Sequence, residues 1–89
     1  MSWTIKLSSR AVKQYEKLDK PTRKRIKSAL KELENLKNPL EHRQVKPLVG
    51  KLKGFYRLRV GNYRVIFSVL KEEKTIAVVY ISPRGDAYK

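Results

Sequence analysis

The stretch FYRLRVGNYRVIFSVL, running from Phe55 to Leu70, decides the fold. Its two halves are rich in β-branched and aromatic residues, the composition of strands. Gly61-Asn62 stands between them as a two-residue hairpin turn. A turn there sets Val60 opposite Tyr63 and Arg59 opposite Arg64. Directly opposed residues share a face of the sheet, and so do alternate residues along a strand. Arg57, Arg59 and Arg64 therefore point one way, with Ile66 and Ser68. Tyr56, Leu58, Val60, Tyr63, Val65 and Phe67 point the other way, toward whatever covers the sheet. Opposed like charges cost a few tenths to about 1 kcal/mol, so three arginines on one side of one hairpin need a reason. A merely solvated basic face is the plain alternative. A phosphate-binding face is the reading favoured here, because the planar guanidinium grips phosphate bidentately and stays charged.

Working outward, Lys71 to Lys74 is a polar connection, and Thr75 to Ser82 is almost continuously apolar, as a central strand would be. At the other end, Trp3, Ile5 and Leu7 alternate with Thr4 and Lys6, a short strand. Ser8 or Ser9 caps a first helix with Ala11, Tyr15 and Leu18 on one stripe. Asp19-Lys20-Pro21 breaks it and opens a second, with proline suited to the first turn. In that second helix Ile26, Ala29, Leu30, Leu33 and Leu36 step by three and four residues, and Asn38-Pro39 ends it. Leu40 to Lys53 has no clear period, and Pro47 and Gly50 mark it as loop. The expected fold is α+β in the order β-α-α-β-β-β: two N-terminal helices on one face of a small antiparallel sheet, the other face partly open.

The chain has 89 residues, which makes residues 1–89 one domain. A chain of this size buries roughly 60–65% of its unfolded surface, enough for a thin core. It has no cysteine and a single histidine, which excludes disulfides and a cysteine- or histidine-based zinc site. No cofactor is expected. Lys and Arg number 22 against 8 Asp and Glu, a net charge of +14. Such self-repulsion points to an anionic partner: nucleic acid, an acidic protein or an anionic membrane. No apolar run approaches the roughly 20 residues of a membrane span, and the N-terminus does not read as a signal peptide, so a cytoplasmic location is expected.

Three further features bear on function. The tail from Ser82 to Lys89 carries Pro83 and Gly85, which turn the chain, so that Arg84 and Tyr88 can swing over the arginine face. Tyrosine can stack on a base or bond a phosphate, although a tyrosine at a chain end is as readily explained by packing. Nine helical cations, from Arg10 to Lys31, read mostly as solvated helix surface, able together to hold a structured RNA backbone. His42 falls in the irregular segment with no evident route to the arginines.

The run from Leu52 to Phe67, followed later by Ser82-Pro83-Arg84-Gly85-Asp86-Ala87-Tyr88, closely resembles the RelE branch of the RelE/ParE toxin superfamily, its archaeal-type RelE members above all. The resemblance spans nearly the whole chain. It implies a toxin of a type II toxin–antitoxin system that enters the ribosomal A site and cuts the mRNA codon there. The ribose 2′-OH attacks the adjacent phosphate without a metal, leaving a 2′,3′-cyclic phosphate and a 5′-OH. It further implies an acidic, RelB-like antitoxin that wraps the toxin and joins it in a DNA-binding repressor complex. The family's site residues carry over onto Arg57, Arg59, Arg64, Arg84 and Tyr88. Familiar members have lysine where this chain has Arg57 and Arg59, and arginine is not a proton acceptor. Tyr88 and His42 remain as candidate bases; otherwise catalysis rests mainly on positioning of the mRNA in line for attack. Two other readings stand beside this one: a ParE-like gyrase poison without chemistry of its own, and a non-catalytic basic RNA-binding module.

Overall fold

The computed structural model describes residues 3–83. Its elements run β1 (Thr4–Leu7), α1 (Ser9–Glu16), α2 (Lys20–Asn35), β2 (Val45–Pro47), β3 (Tyr56–Val60), β4 (Tyr63–Leu70) and β5 (Thr75–Pro83), with single 3₁₀ turns on either side of β2. All five strands form one sheet in the order β1-β5-β4-β3-β2.

The helices begin where local chemistry starts them. Ser8 caps α1, its hydroxyl accepting from the Ala11 N–H. Asp19 caps α2, its carboxylate accepting from the backbone and hydroxyl of Thr22, and Pro21 lies in the first turn. The bend between them is held by Arg23, whose guanidinium donates to the Leu18 carbonyl, and by the Tyr15 hydroxyl, which donates to the Arg23 carbonyl.

One layer of side chains joins helices to sheet. Ala11 of α1 and Ile26, Leu30 and Leu33 of α2 pack with Leu58, Val65, Phe67, Ile76, Val78 and Ile81 of the strands. Phe67 is fully buried, its ring centroid 5.9 Å from that of Tyr56. Truncating such a phenylalanine to alanine costs about 3–5 kcal/mol, a large part of the stability of a domain this small.

Two expectations are corrected. The sheet is mixed, not antiparallel: β1 runs parallel to β5, Thr4 beside Thr75 through Leu7 beside Val78. Alternation in Trp3 to Leu7 identifies a buried face but says nothing about direction, which is set by closure between distant parts of the chain. The irregular stretch also contains a strand. β2 pairs antiparallel with β3, Val45 beside Leu58, and is only three residues long, too short for its period to show. Pro47, which has no N–H to donate, is tolerated because β2 is an edge strand. The element order therefore has one strand more than β-α-α-β-β-β.

The hairpin forms as its sequence requires. Val60 pairs with Tyr63 and Arg59 with Arg64. Gly61 has φ +58° while Asn62 does not enter positive φ, the sign pattern of a type II′ turn with glycine first.

Candidate nucleic-acid interface

The register of the sheet builds a cationic wall on the side away from the helices. One row across the strands is Lys46, Arg57, Ile66 and Tyr80, from β2 to β5. The next row is Arg59, Arg64 and Ser82. Rows on one face lie about 7 Å apart along a strand, and neighbouring strands about 5 Å apart. Arg57, Arg59 and Arg64 thus project from one patch, as the hairpin geometry requires. Arg59 is exposed, while Arg57 and Arg64 are half-buried. Ile66 between them is fully buried although it faces away from the helical core, so the wall has an apolar floor.

Backbone from the loop before β2 braces the wall. The Gln44 carbonyl accepts from the Arg59 backbone N–H at 3.1 Å and from the Arg57 guanidinium at 3.5 Å. The Gln44 N–H donates in turn to His42 Nδ1 at 3.0 Å, and His42 Nε2 lies 2.9 Å from Glu32 of α2. A ring nitrogen that accepts from a backbone N–H carries no proton, so Nε2–H is the donor to Glu32. His42 is therefore a bracket between α2 and the loop. It is mostly buried, and it is not brought to the wall.

Three residues escaped the sequence reading. Lys46 joins the cations through the short β2, whose period was not visible. Tyr80 reaches the wall through a β-bulge: Ile66 pairs with Tyr80 but the next residue, Phe67, pairs with Val78, so Val79 is an extra residue in β5. Without it, Tyr80 would point into the core. Arg10, grouped above with the solvated helical cations, lies over the Tyr80 ring with Cζ 5.0 Å from its centroid. Arg84 and Tyr88 lie outside the described residues, as do the other residues of the tail after Pro83.

The described groups can bind an anion in an extended patch. They offer guanidiniums in quantity, and among the described residues no group of three or more His, Cys, Asp or Glu is placed to hold a metal ion. No helix among them is long and apolar enough to cross a membrane. Among the described residues, two helices lie behind one mixed sheet and a basic wall stands before it. The chain belongs to the ParE toxin family of type II toxin–antitoxin systems, whose model matches residues 5–88. It is 30% identical over 89 residues to the protein RelE1 of Methanocaldococcus jannaschii, covering all of this chain and 98% of that one. The archaeal RelE–RelB complex of Pyrococcus horikoshii contains a chain of the same fold, with TM-score 0.78, 34% identity, and coverage of 98% of this chain and 100% of that one. The isolated RelE toxin of E. coli shares the fold at 22% identity, with TM-score 0.75 and coverage of 98% of this chain and 89% of that one.

Proposed function

We propose that this toxin is a ribosome-dependent mRNA endoribonuclease. The observation that carries the reading is the register that sets Arg59 against Arg64 with Arg57 on the same face. These three guanidiniums hold the scissile phosphate and the charge that builds on it as the 2′-oxygen attacks. The O2′–P bond forms, the P–O5′ bond breaks, the 2′-hydroxyl proton is lost to a base, and a proton goes to the departing 5′-oxygen. Arg84 neutralises the leaving side, and Tyr88 stacks on a base or orients the 2′-hydroxyl. Arginine accepts no proton at neutral pH, so the rate rests chiefly on in-line positioning of ribosome-bound mRNA. Free RNA, lacking that positioning, is cut little.

The partner that restrains this activity is an acidic antitoxin. Its support is the net charge of +14 and an apolar groove lined by Ile5, Leu7, Tyr15 and Leu30, with Lys27, Lys31 and a single carboxylate, Glu34, at its rim. An amphipathic acidic segment fits such a groove, apolar side inward. In the Pyrococcus horikoshii structure the RelE chain is likewise in complex with RelB.

The test is incubation with programmed ribosomes and mapping of new mRNA 5′ ends. Cuts within the A-site codon that vanish in Arg64→Ala support the reading. The parallel assay is gyrase supercoiling, favoured as a second reading by the ParE name of the matching family. Gyrase inhibition with intact mRNA would replace the nuclease with a gyrase poison.

A further inference from the structure

The bulge in β5 is held open by α1. The Ser8 hydroxyl donates to the Val79 carbonyl at 2.7 Å, and the Gln14 side-chain oxygen accepts from the Ile81 N–H at 2.6 Å. The Ser8 N–H donates to the Val78 carbonyl at 2.8 Å. This short helix thus replaces the ladder bonds that β5 loses beyond the end of β1. The extra residue keeps Val78 and Ile81 in the core and sends Tyr80 and Ser82 to the opposite face, in register with Ile66 and Arg64. Bulges of this kind re-aim side chains and are concentrated beside functional sites.

The same helix supplies the group that uses the displaced tyrosine. Arg10 sits two residues after Ser8 and one turn before Gln14, with its guanidinium above the Tyr80 ring. Arg10 is exposed, and none of its N–H groups is hydrogen-bonded among the described residues. Stacking on an aromatic face fixes a guanidinium while leaving its in-plane donors available. A long cation that is already ordered loses less rotamer freedom when it binds.

We propose that Arg10, positioned by Tyr80, is a phosphate-binding residue that extends the arginine wall to the backbone of a neighbouring nucleotide in single-stranded RNA. The choice of RNA as ligand rests on the nuclease reading above. Tyr80 lies two strands from Arg57 in one row and next to the Arg64–Ser82 row, so Arg10 stands at the β5 side of the wall, with β4 between it and the strand that carries Arg57 and Arg59. Tyr80 is a positioning residue; Arg10 makes the contact.

The experiment is titration of a short, labelled single-stranded RNA with the full chain across a range of salt concentrations. Each phosphate contact on a single strand contributes about 0.7 to the slope of log affinity against log salt. Arg10→Ala is expected to flatten that slope by about 0.7 and to weaken binding about tenfold at low salt, the scale of one charge-assisted hydrogen bond. Tyr80→Leu should reproduce most of the loss, and Tyr80→Trp, which restores an aromatic face, should recover it. Lys71→Ala, in the turn at the far end of the sheet, controls for net charge. An unchanged slope in Arg10→Ala, or an equal change in Lys71→Ala, overturns the proposal. Cleavage on programmed ribosomes is scored separately with wild type and Arg64→Ala. An Arg10-dependent slope without mRNA cleavage sinks the nuclease reading and keeps the phosphate contact; cleavage with an Arg10-independent slope does the reverse.

Discussion

Arg59 and Arg64 occupy directly opposed positions on β3 and β4, two like charges paired across the hairpin. Such a pair is destabilising by a few tenths to about 1 kcal/mol in water. Replacing Arg59, the exposed member, with threonine removes the repulsion and keeps a good strand former. Arg59→Thr is expected to raise Tm by up to about 8 °C at low ionic strength, an advantage that shrinks with added salt. The same substitution should reduce mRNA cleavage on programmed ribosomes at least tenfold. Thermal scans at two salt concentrations beside a cleavage assay check both halves. A variant that is both less stable and fully active would contradict the phosphate-gripping role.

Gly61 carries the turn. Its φ of +58° is a conformation that a side chain with a Cβ resists, whereas a Cβ built there meets only Arg25 Nη1, at 3.7 Å. The cost of Gly61→Ala is therefore one of backbone strain and not of crowding, about 1–2 kcal/mol. Tm should fall by roughly 4–16 °C. Arg25→Ala in the same background should restore none of that loss, which chemical denaturation of the single and double variants will show.

Gln14→Ala leaves the Ile81 N–H without its side-chain acceptor. An amide stripped of its partner in a half-buried place costs about 1–3 kcal/mol. Hydrogen exchange at Ile81 is expected to accelerate more than at Val65 in the middle of the neighbouring strand. Uniform acceleration at both would mean that the bond merely adds to global stability and does not hold the bulge.

The cap of α2 gives an acid-side dependence. The Asp19 carboxyl is held below its ordinary pKa, first by the Thr22 hydroxyl and then by the Thr22 backbone and the Arg23 charge. A carboxyl lowered on folding lends stability above its unfolded pKa and loses it as pH falls through the lower folded value. Asp19→Asn, which keeps the capping geometry but cannot titrate, should flatten the acid limb of stability against pH. Denaturant midpoints from neutral pH down to pH about 2, below the ordinary carboxylate range, test this.

Legibility from sequence followed the range of the interactions. The hairpin was readable because Gly61-Asn62 fixes a register locally, and every opposed pair from Tyr56 to Phe67 then follows. Both helix starts were readable for the same reason, since Ser8 and Asp19 act on residues three positions ahead. The direction of β1 was not, because Thr4 meets Thr75 only when the whole chain has closed. Lys46 was hidden by the brevity of β2. Tyr80 was hidden by the bulge: strict alternation from Val78 puts Val79, not Tyr80, on the wall, and nothing between Thr75 and Pro83 marks an inserted residue. The signals that hold it, Ser8 and Gln14, lie about seventy positions away.

The placement of β5 between β1 and β4 has a consequence for biosynthesis. Translation delivers both helices and the whole β3–β4 hairpin before the strand that must slot into the gap between β1 and β4. Until Thr75 to Pro83 emerge, a nascent chain carries its arginines on an unfinished sheet, with Leu7 and Val69 lacking the strand that separates them. Under the proposed activity, a ribosome making this protein faces no finished nuclease while most of the message is still being read, and abandoned fragments that stop short of Thr75 are harmless to the machinery that produced them.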